Sequence, residues 1–387
     1  MKYYKLSATI LIIALTSPQQ GIADTTNANI YGNFDVSYDS INTGYATNGK
    51  AGTTSNRVSS NTSFIGVKGS TDSIEGLSAI WQVESLISVG DSALNGTPTG
   101  EITNNGIGYL GNRNTFVGIM SERFGTVFAG RNDTPYRLST RRFDVFDRGI
   151  ADNRSIFGGS NVAAKVAFDG RQDQLVEYVS PTLASITIAL AYINLNPSVN
   201  LGSQYQGNAT SVATWYSANG YYGALAYELH NLQNTADFSY LGKEHAIKLG
   251  VGYTQGGIFT VGLAVESTSD NLGTAKTNFY GHNAYYLSAK YYVSSASSFK
   301  AAITDAGNLG GGNTADTGAK QTTLGYDYIL GKRTTLYVLY TKLCNASAAN
   351  YSLSIYNGAA SSIGGPSTVA GTGASPSALA MGVLVTF

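Results

Sequence analysis

Charged side chains of both signs are concentrated between residues 132 and 170. They are Asp133, Arg137, Arg141, Arg142, Asp144, Asp147, Arg148, Asp152, Arg154, Lys165 and Asp169. The same segment carries apolar side chains such as Phe143 and Phe146, which need cover from water. If the segment folds against the inner wall of a hollow protein, the wall supplies that cover and the charges set the electric field inside. The alternative is a solvated surface loop whose charges only keep it soluble.

The histidines and the cysteine offer little other chemistry. His230, His245 and His282 are the three histidines, and none forms the His-x-x-x-His spacing of a metal site. All three fall at predicted strand ends, so we expect ordinary polar surface residues, with no catalytic residue, metal site or cofactor. Cys344 is the single cysteine, so it forms no internal disulfide, and we expect a small buried apolar residue.

The composition excludes several classes of protein. Among the 387 residues 43% are hydrophobic and only 12% are charged, yet no run of 18 apolar residues exists that could form a spanning helix. Lys2 and Lys5, followed by an apolar stretch, predict a signal peptide at 1–23 that is cleaved after Ala23 and precedes one barrel domain at 24–387. Its removal leaves 22 basic residues against the 24 acidic ones, a net charge of −2, which argues against nucleic acid as a partner.

The elements that must position these side chains are β-strands, because apolar and polar residues alternate with period two. Leu249 and Val251 fall on one face of such a strand, and Lys248 and Gly250 fall on the other. About sixteen segments follow this pattern, and their lengths suit strands tilted across a bilayer. They are 29–39, 61–69, 76–87, 113–120, 124–131, 171–179, 183–195, 208–218, 221–230, 244–254, 257–268, 282–293, 297–304, 318–329, 332–344 and 376–387.

The connections between these strands alternate between short and long. The predicted short connections are 70–75, 121–123, 180–182, 219–220, 255–256, 294–296 and 331, and the long ones are 40–60, 88–112, 132–170, 196–207, 231–243, 269–281, 305–317 and 345–375. Transmembrane barrels have short turns on one side and long loops on the other, and closure leaves no unpaired strand edge in lipid. The sequence therefore predicts an all-β fold, a 16-stranded antiparallel transmembrane β-barrel.

Several motifs, taken in their order and spacing, resemble those of a known family. They are Ile30-Tyr31-Gly32-Asn33-Phe34-Asp35, Gly66-Val67-Lys68-Gly69, Gly76-Leu77-Ser78-Ala79-Ile80-Trp81-Gln82-Val83-Glu84, Asn112-Arg113-Asn114-Thr115-Phe116-Val117-Gly118, Phe124-Gly125-Thr126-Val127-Phe128-Ala129-Gly130-Arg131, Tyr178-Val179-Ser180-Pro181 and the terminal Phe387. The chain resembles the general bacterial porins of Neisseria and Burkholderia type, most closely over residues 29–181.

This resemblance implies a homotrimer of barrels in the outer membrane, surrounded by lipid and lipopolysaccharide, that passes ions and small hydrophilic solutes. It also implies that the third loop, 132–170, folds inward, and that Phe387 is an assembly signal read by the barrel-assembly machinery. The sequence departs from the family at Phe64, where an inward Arg is frequent, and at the turn Ser121-Glu122-Arg123.

Two sets of site residues follow from the strand alternation and from the resemblance. A charged residue facing lipid at mid-membrane costs about 2–4 kcal/mol when it is basic, so strand charges are expected to face the lumen. The expected lumen wall comprises Asp35, Lys68, Glu84, Arg171, Lys248 and Lys290. The expected pore constriction comprises Arg131, Arg141, Arg142, Asp144, Asp147, Arg148, Asp152 and Arg154. A substrate-specific channel, a barrel hydrolase and a plugged structural barrel stay open as alternatives.

Overall fold

The computed structural model describes residues 27–71, 73–87, 89, 110–158, 168–195, 205–234, 240–272, 281–310, 316–353 and 371–387. The predicted signal peptide at 1–23, its cleavage site and Lys165 lie outside these residues. Among the described residues, no helix is long and apolar enough to cross a membrane.

The described structure is built almost entirely of strands. They are β1 (Asn27–Asn42), β2 (Thr54–Ser60), β3 (Phe64–Ser70), β4 (Leu77–Leu86), β5 (Thr115–Ser121), β6 (Gly125–Asp133), β7 (Arg171–Val179), β8 (Ile186–Leu195), β9 (Tyr205–Ala218), β10 (Tyr221–Asn234), β11 (Tyr240–Gln255), β12 (Phe259–Asp270), β13 (Asn283–Tyr292), β14 (Ser297–Ala306), β15 (Ala319–Gly331), β16 (Thr334–Asn345) and β17 (Ser377–Thr386). One helix, α1 (Pro135–Arg141), and two 3₁₀ turns, Gly149–Ala151 and Asn153–Ser155, lie in the third loop.

Every pairing is antiparallel, and the sheet closes on itself where β1 pairs with β17, for example Asn33 opposite Thr386. β2 and β3 both pair with β1 and form one barrel strand interrupted at 61–63. The predicted 16-stranded antiparallel barrel is therefore confirmed. The connection predicted at 40–60 is shorter in the structure, because β1 continues to Asn42 and β2 pairs with it from Thr54 onward.

Side chains alternate between an apolar outer face and a polar inner face. Leu249 and Val251 are about half exposed on the outside, whereas Lys248 on the inside is 0% exposed. The exposed apolar side chains around the barrel form the surface that we expect to contact lipid. Cys344 contradicts the prediction, since it is exposed: Leu343 is buried on the inner face, so strand alternation turns Cys344 outward.

The ends of the strands differ from the predicted boundaries at two connections. The predicted long connection at 231–243 is mostly strand, because β10 extends to Asn234 and β11 begins at Tyr240. Gly331, predicted to be a turn, ends β15, and the turn is formed by residues 332–333. Extension of the strands therefore shortens one of the loops that alternate with the tight turns.

Phe387 contacts β1 at the seam where β1 and β17 close the barrel. The Phe387 and Gly32 backbones exchange two hydrogen bonds, each 3.1 Å long. The Phe387 ring lies 5.5 Å from the Phe34 ring, and a Cβ on Gly32 would come within 2.8 Å of Phe387 Cζ. Because Gly32 has no side chain, the Phe387 ring can lie close to the backbone of β1.

Replacing Phe387 with Ala should lower the free energy of unfolding by about 1–2 kcal/mol, because a partly buried ring contact at the seam is lost. Urea unfolding of the purified protein in lipid vesicles measures this change. Phe299→Ala, a lipid-facing ring away from the seam, is the control for simple loss of lipid contact. Equal destabilisation by both variants would contradict a role in the seam.

Candidate functional site

The third loop begins with a helix whose start is fixed by local sequence. Thr134 is the N-cap, and its Oγ1 accepts a hydrogen bond from the Arg137 backbone N–H at 3.2 Å, while Pro135 occupies the first turn. The helix lies against the inner face of β9–β11. Tyr136 N–H donates to Ser211 Oγ at 3.0 Å, and Tyr222 OH donates to the Ser139 carbonyl at 3.2 Å.

Glycines on the barrel wall make room for the aromatic side chains of the loop. A Cβ added to Gly250 or Gly252 would lie 2.4 Å from the Phe143 ring, and one on Gly262 would lie 2.7 Å from it. A Cβ added to Gly325 on β15 would lie 2.7 Å from the Phe146 ring. These glycines occupy inward positions of β11, β12 and β15, so the loop rings pack directly on the backbone of the wall.

Asp152 organises the middle of the loop and is fully buried. Its carboxylate accepts hydrogen bonds from Arg141 at 3.0 and 3.1 Å and from Arg154 at 2.9 and 3.0 Å. These two guanidinium groups hold the pKa of Asp152 well below its usual range, despite its burial. We expected Arg141, Asp152 and Arg154 to line the constriction; instead they are paired inside the loop.

Asp144 is the second buried carboxylate of the loop. Burial raises its pKa to about 6, and the negative charge of Asp152 adds to this effect. Tyr286 OH donates to Asp144 Oδ1 at 2.8 Å, and Arg141 lies 3.4 Å from Oδ2. Asp144 therefore changes its charge close to neutral pH, whereas Asp152 stays ionised.

A buried ion cluster fastens the loop to β11 and β12. Lys248 Nζ lies 2.5 Å from Asp169 Oδ1 in the returning arm of the loop and 3.4 Å from Glu266 Oε2. Tyr136 OH donates to Glu266 at 2.7 Å, and the Gly158 N–H donates to it at 2.8 Å. Lys248, predicted for the lumen wall, is 0% exposed because the loop covers it.

His230 contradicts its assignment as a surface residue, because it is 0% exposed. Its two ring nitrogens each lie 2.9 Å from a carboxylate oxygen, of Glu228 and of Glu244. The Phe168 ring stacks on it at 4.6 Å with an interplanar angle of 20°. Because alternate residues of a strand share a face, the spacing Glu228-x-His230 in the sequence already places both side chains on the same face of β10.

Among the described residues, two of the cavities lie inside the barrel beside the loop. One, of about 260 Å³, is lined by Asp35, Arg148, Lys300 and Asp327, and the other, of about 330 Å³, by Arg142, Tyr222, Thr254 and Tyr292, among others. Val145, Asp147 and Lys290 line both cavities. The two cavities therefore adjoin at these three residues, a place called the junction below, which carries one exposed acid and one partly exposed base.

Charges that water can reach are few at this junction. The side chains of Asp147 and Arg148 are 48% and 33% exposed and lie 3.5 Å apart. Lys290 is 24% exposed, and its Nζ lies 3.1 Å from Asp327, which also pairs with Lys300 at 2.7 Å. Two ammonium groups thus share one carboxylate on the β13–β15 wall.

Arg131, predicted for the constriction, and the remaining predicted wall residues lie on β1, β3, β4, β6 and β7. Asp35 accepts a hydrogen bond from Tyr337 OH at 2.7 Å, and Glu84 accepts one from Tyr31 OH at 2.7 Å. Three further groups are placed as follows: Lys68 Nζ lies 4.7 Å from the Tyr31 ring centroid, Arg131 pairs with Asp173 at 2.6 Å, and Arg171 is buried against Asp133 at 3.0 Å. Arg131 and Arg171 therefore form pairs along the wall, away from the junction.

Phe64 has the guanidinium group of Arg113 beside its ring. The Arg113 guanidinium lies 4.5 Å from the centroid of the Phe64 ring and 3.3 Å from Glu84 Oε2. The positive charge that Phe64 lacks is therefore supplied to the same region by the segment before β5.

Comparison with known proteins agrees with this geometry. A family model described as Gram-negative porin matches residues 8–346. The chain belongs to the Gram-negative porin family. This porin is 27% identical over 254 residues to the major outer membrane protein P.IA of Neisseria meningitidis serogroup C, an alignment covering 56% of the chain and 59% of that relative. It is 26% identical over 351 residues to P.IB of Neisseria gonorrhoeae, covering 84% of the chain and 91% of the relative.

A solved structure shares the fold of this porin. The anion-selective porin from Comamonas acidovorans superposes with a TM-score of 0.70 at 20% sequence identity, covering 94% of this chain and 100% of that one. The similarity establishes the closed barrel architecture.

Gly250→Val should displace the third loop, because the new side chain would overlap Phe143 and Thr140 of the loop while no backbone atom of the wall stands among its nearest contacts. Single-channel recordings should show a larger or more variable conductance than the wild type. Gly223→Val is the control, since a Cβ there meets nothing closer than 4.0 Å. A wild-type conductance in Gly250→Val would show that the loop does not limit the current.

The cation preference should rise between pH 5 and pH 7, because Asp144 lines the larger cavity and loses its proton with a pKa of about 6. The raised pKa means that the folded loop binds this proton more tightly than the unfolded chain, so ionisation slightly destabilises the docked loop as pH rises. Reversal potentials in a salt gradient measure the effect. In Asp144→Asn the step should become smaller, and an unchanged step would assign it to another group.

Proposed function

We propose that this protein is a general diffusion channel of the outer membrane that lets ions and small hydrophilic solutes pass without chemical change. One observation carries the proposal: two cavities inside a closed barrel adjoin at Asp147, Val145 and Lys290, which line both of them. A polar, hydrated path beside an apolar lipid-facing wall is what passive passage requires. Membership of the porin family supports a channel rather than an enzyme.

The constriction in this proposal is the junction beside the inward-folded third loop. Asp147 and Arg148 project from the loop, and Lys290 projects from the facing wall. Opposite charges at a narrow point create a transverse field that orients dipolar solutes. Arg142 and Asp144 line the larger cavity next to this point. Arg141, Asp152 and Arg154 act indirectly, because their ion pairs fix the shape of the loop.

The setting of the channel follows from the family rather than from a contact in the structure. We propose export through a signal peptide cleaved after Ala23, assembly by the barrel-assembly machinery with Phe387 as its signal, and a homotrimer surrounded by lipid and lipopolysaccharide. A substrate-specific channel on the same fold is the second candidate. It is favoured by Arg142, which lines a cavity and has no ion pair among the described residues.

Reconstitution of the purified mature protein in a planar bilayer tests the proposed function. We expect stepwise, ohmic conductance in potassium chloride and, for a trimer, steps in groups of three. Swelling of vesicles that contain the protein should show entry of small sugars. Absence of conductance from correctly folded protein would contradict the proposal.

Substitutions at the junction should shift ion selectivity in opposite directions. Asp147→Asn removes an exposed negative charge and should shift the reversal potential toward anions, whereas Lys290→Gln should shift it toward cations. Lys320→Gln is the control, because Lys320 is exposed and pairs with Asp305 away from both cavities. If neither junction variant differs from this control, the narrowest point lies elsewhere.

A further inference from the structure

Arg142 differs from the other arginines of the third loop because no ion pair neutralises it in the described part of the chain. The others pair as follows: Arg137 with Asp133 at 3.1 Å, Arg141 with Asp152 at 3.0 Å, Arg148 with Asp147 at 3.5 Å and Arg154 with Asp152 at 2.9 Å. Arg142 is exposed and lines the 330 Å³ cavity. The cavity therefore contains an available guanidinium group.

Neutral partners hold this guanidinium in place. It stacks over the Tyr222 ring at 4.7 Å from the centroid, and one nitrogen donates to Ser217 Oγ at 3.2 Å. Tyr222 is itself fixed by its bond to the Ser139 carbonyl and by the Phe143 ring, 5.0 Å away. Because these contacts are uncharged, they orient the Arg142 guanidinium without satisfying its charge.

The rest of the cavity wall is rich in hydroxyl groups. Thr254 and Thr260 face each other across β11 and β12, with their hydroxyl oxygens 3.2 Å apart. Tyr292 lies beside them, and Lys290 Nζ is 5.3 Å from the centroid of its ring. Lys290 also lines this cavity and shares the carboxylate of Asp327 with Lys300. The two acids of the cavity wall are paired within the loop, Asp144 with Arg141 at 3.4 Å and Asp147 with Arg148 at 3.5 Å.

We propose that this cavity is a binding subsite for small hydroxylated carboxylates, such as sugar acids. Arg142 would bind the carboxylate through its planar guanidinium, and Thr254 and Thr260 would bind the hydroxyl groups. An aromatic ring such as that of Tyr292 offers an apolar face for the carbon skeleton. The subsite adds a solute class to the proposed channel function and rests on that function.

The position of the subsite predicts which side of the membrane admits the solute. Ser217, Thr254 and Tyr292 lie at the strand ends next to the short connections 219–220, 256–258 and 293–296. A solute entering from the short-turn side therefore meets the subsite before the junction at Asp147.

Interruption of the ionic current by glucuronate tests the proposal in a planar bilayer holding the mature wild-type protein. Addition on the short-turn side should produce brief blocks whose frequency saturates with concentration. Glucose, which lacks the carboxylate, and acetate, which lacks the hydroxyl groups, should each bind at least tenfold more weakly. Arg142→Gln should lower the glucuronate association constant about tenfold, as expected for loss of a charge-assisted hydrogen bond. Arg142→Lys should lower it less.

Arg123→Gln is the matched control, because the Arg123 guanidinium also stacks on a ring, that of Phe124 at 5.1 Å, but on a turn outside the cavity. Thr260→Val should weaken glucuronate binding and leave acetate binding unchanged. Equal losses in Arg142→Gln and Arg123→Gln, or equal block by acetate and glucuronate, would overturn the proposal. A wild-type channel that conducts chloride but is never interrupted by glucuronate overturns the subsite alone, whereas a silent protein overturns the channel function.

Discussion

Closure of the sheet is the constraint on which the rest of the structure depends. In hydrocarbon an unpaired backbone N–H or carbonyl costs several kcal/mol, so every strand needs a paired neighbour on each side. The first and last strands of the chain must therefore meet, and they do so through ten paired positions from Asn33–Thr386 to Asn42–Ser377. Phe387 and Gly32 extend this pairing by one further exchange of backbone hydrogen bonds. Once the cylinder is closed, alternate side chains have only two environments, lipid or interior.

The third loop is held against the barrel wall by two different kinds of contact. Glycines at 250, 252 and 262 let Phe143 lie on the backbone of the wall, which removes apolar surface from water. Lys248, Asp169 and Glu266 add a fully buried ion cluster, and His230 lies nearby between Glu228 and Glu244. Buried ion pairs contribute little net stability but strongly disfavour arrangements that leave one partner alone. The aromatic contacts thus favour docking, and the charges select one docked position.

Burial separates the charges that shape the loop from those that a passing solute can meet. Asp152 is enclosed by Arg141 and Arg154, whereas Asp147 and Arg148 from the same segment remain partly exposed. An exposed charge at a junction between cavities acts on ions directly, while a buried and paired charge acts through structure. This distinction explains why Asp147 is expected to act on ions more directly than Asp152 does, and why Arg142, which has no ion pair in the described part of the chain, stands apart from both.

The sequence alone determined the all-β fold and the antiparallel barrel, because period-two alternation is a local property that each strand carries by itself. It also marked the third loop by its length and charge. Only the tertiary structure decided which inward charges water reaches, since Lys248 and His230 are buried by a loop that arrives from more than sixty residues away. Likewise, the ion pair of Arg141 and the uncharged contacts of its neighbour Arg142 depend on where the loop turns and which residues it meets there. Pairing and burial are relations between distant residues, so the pattern of any one segment does not contain them.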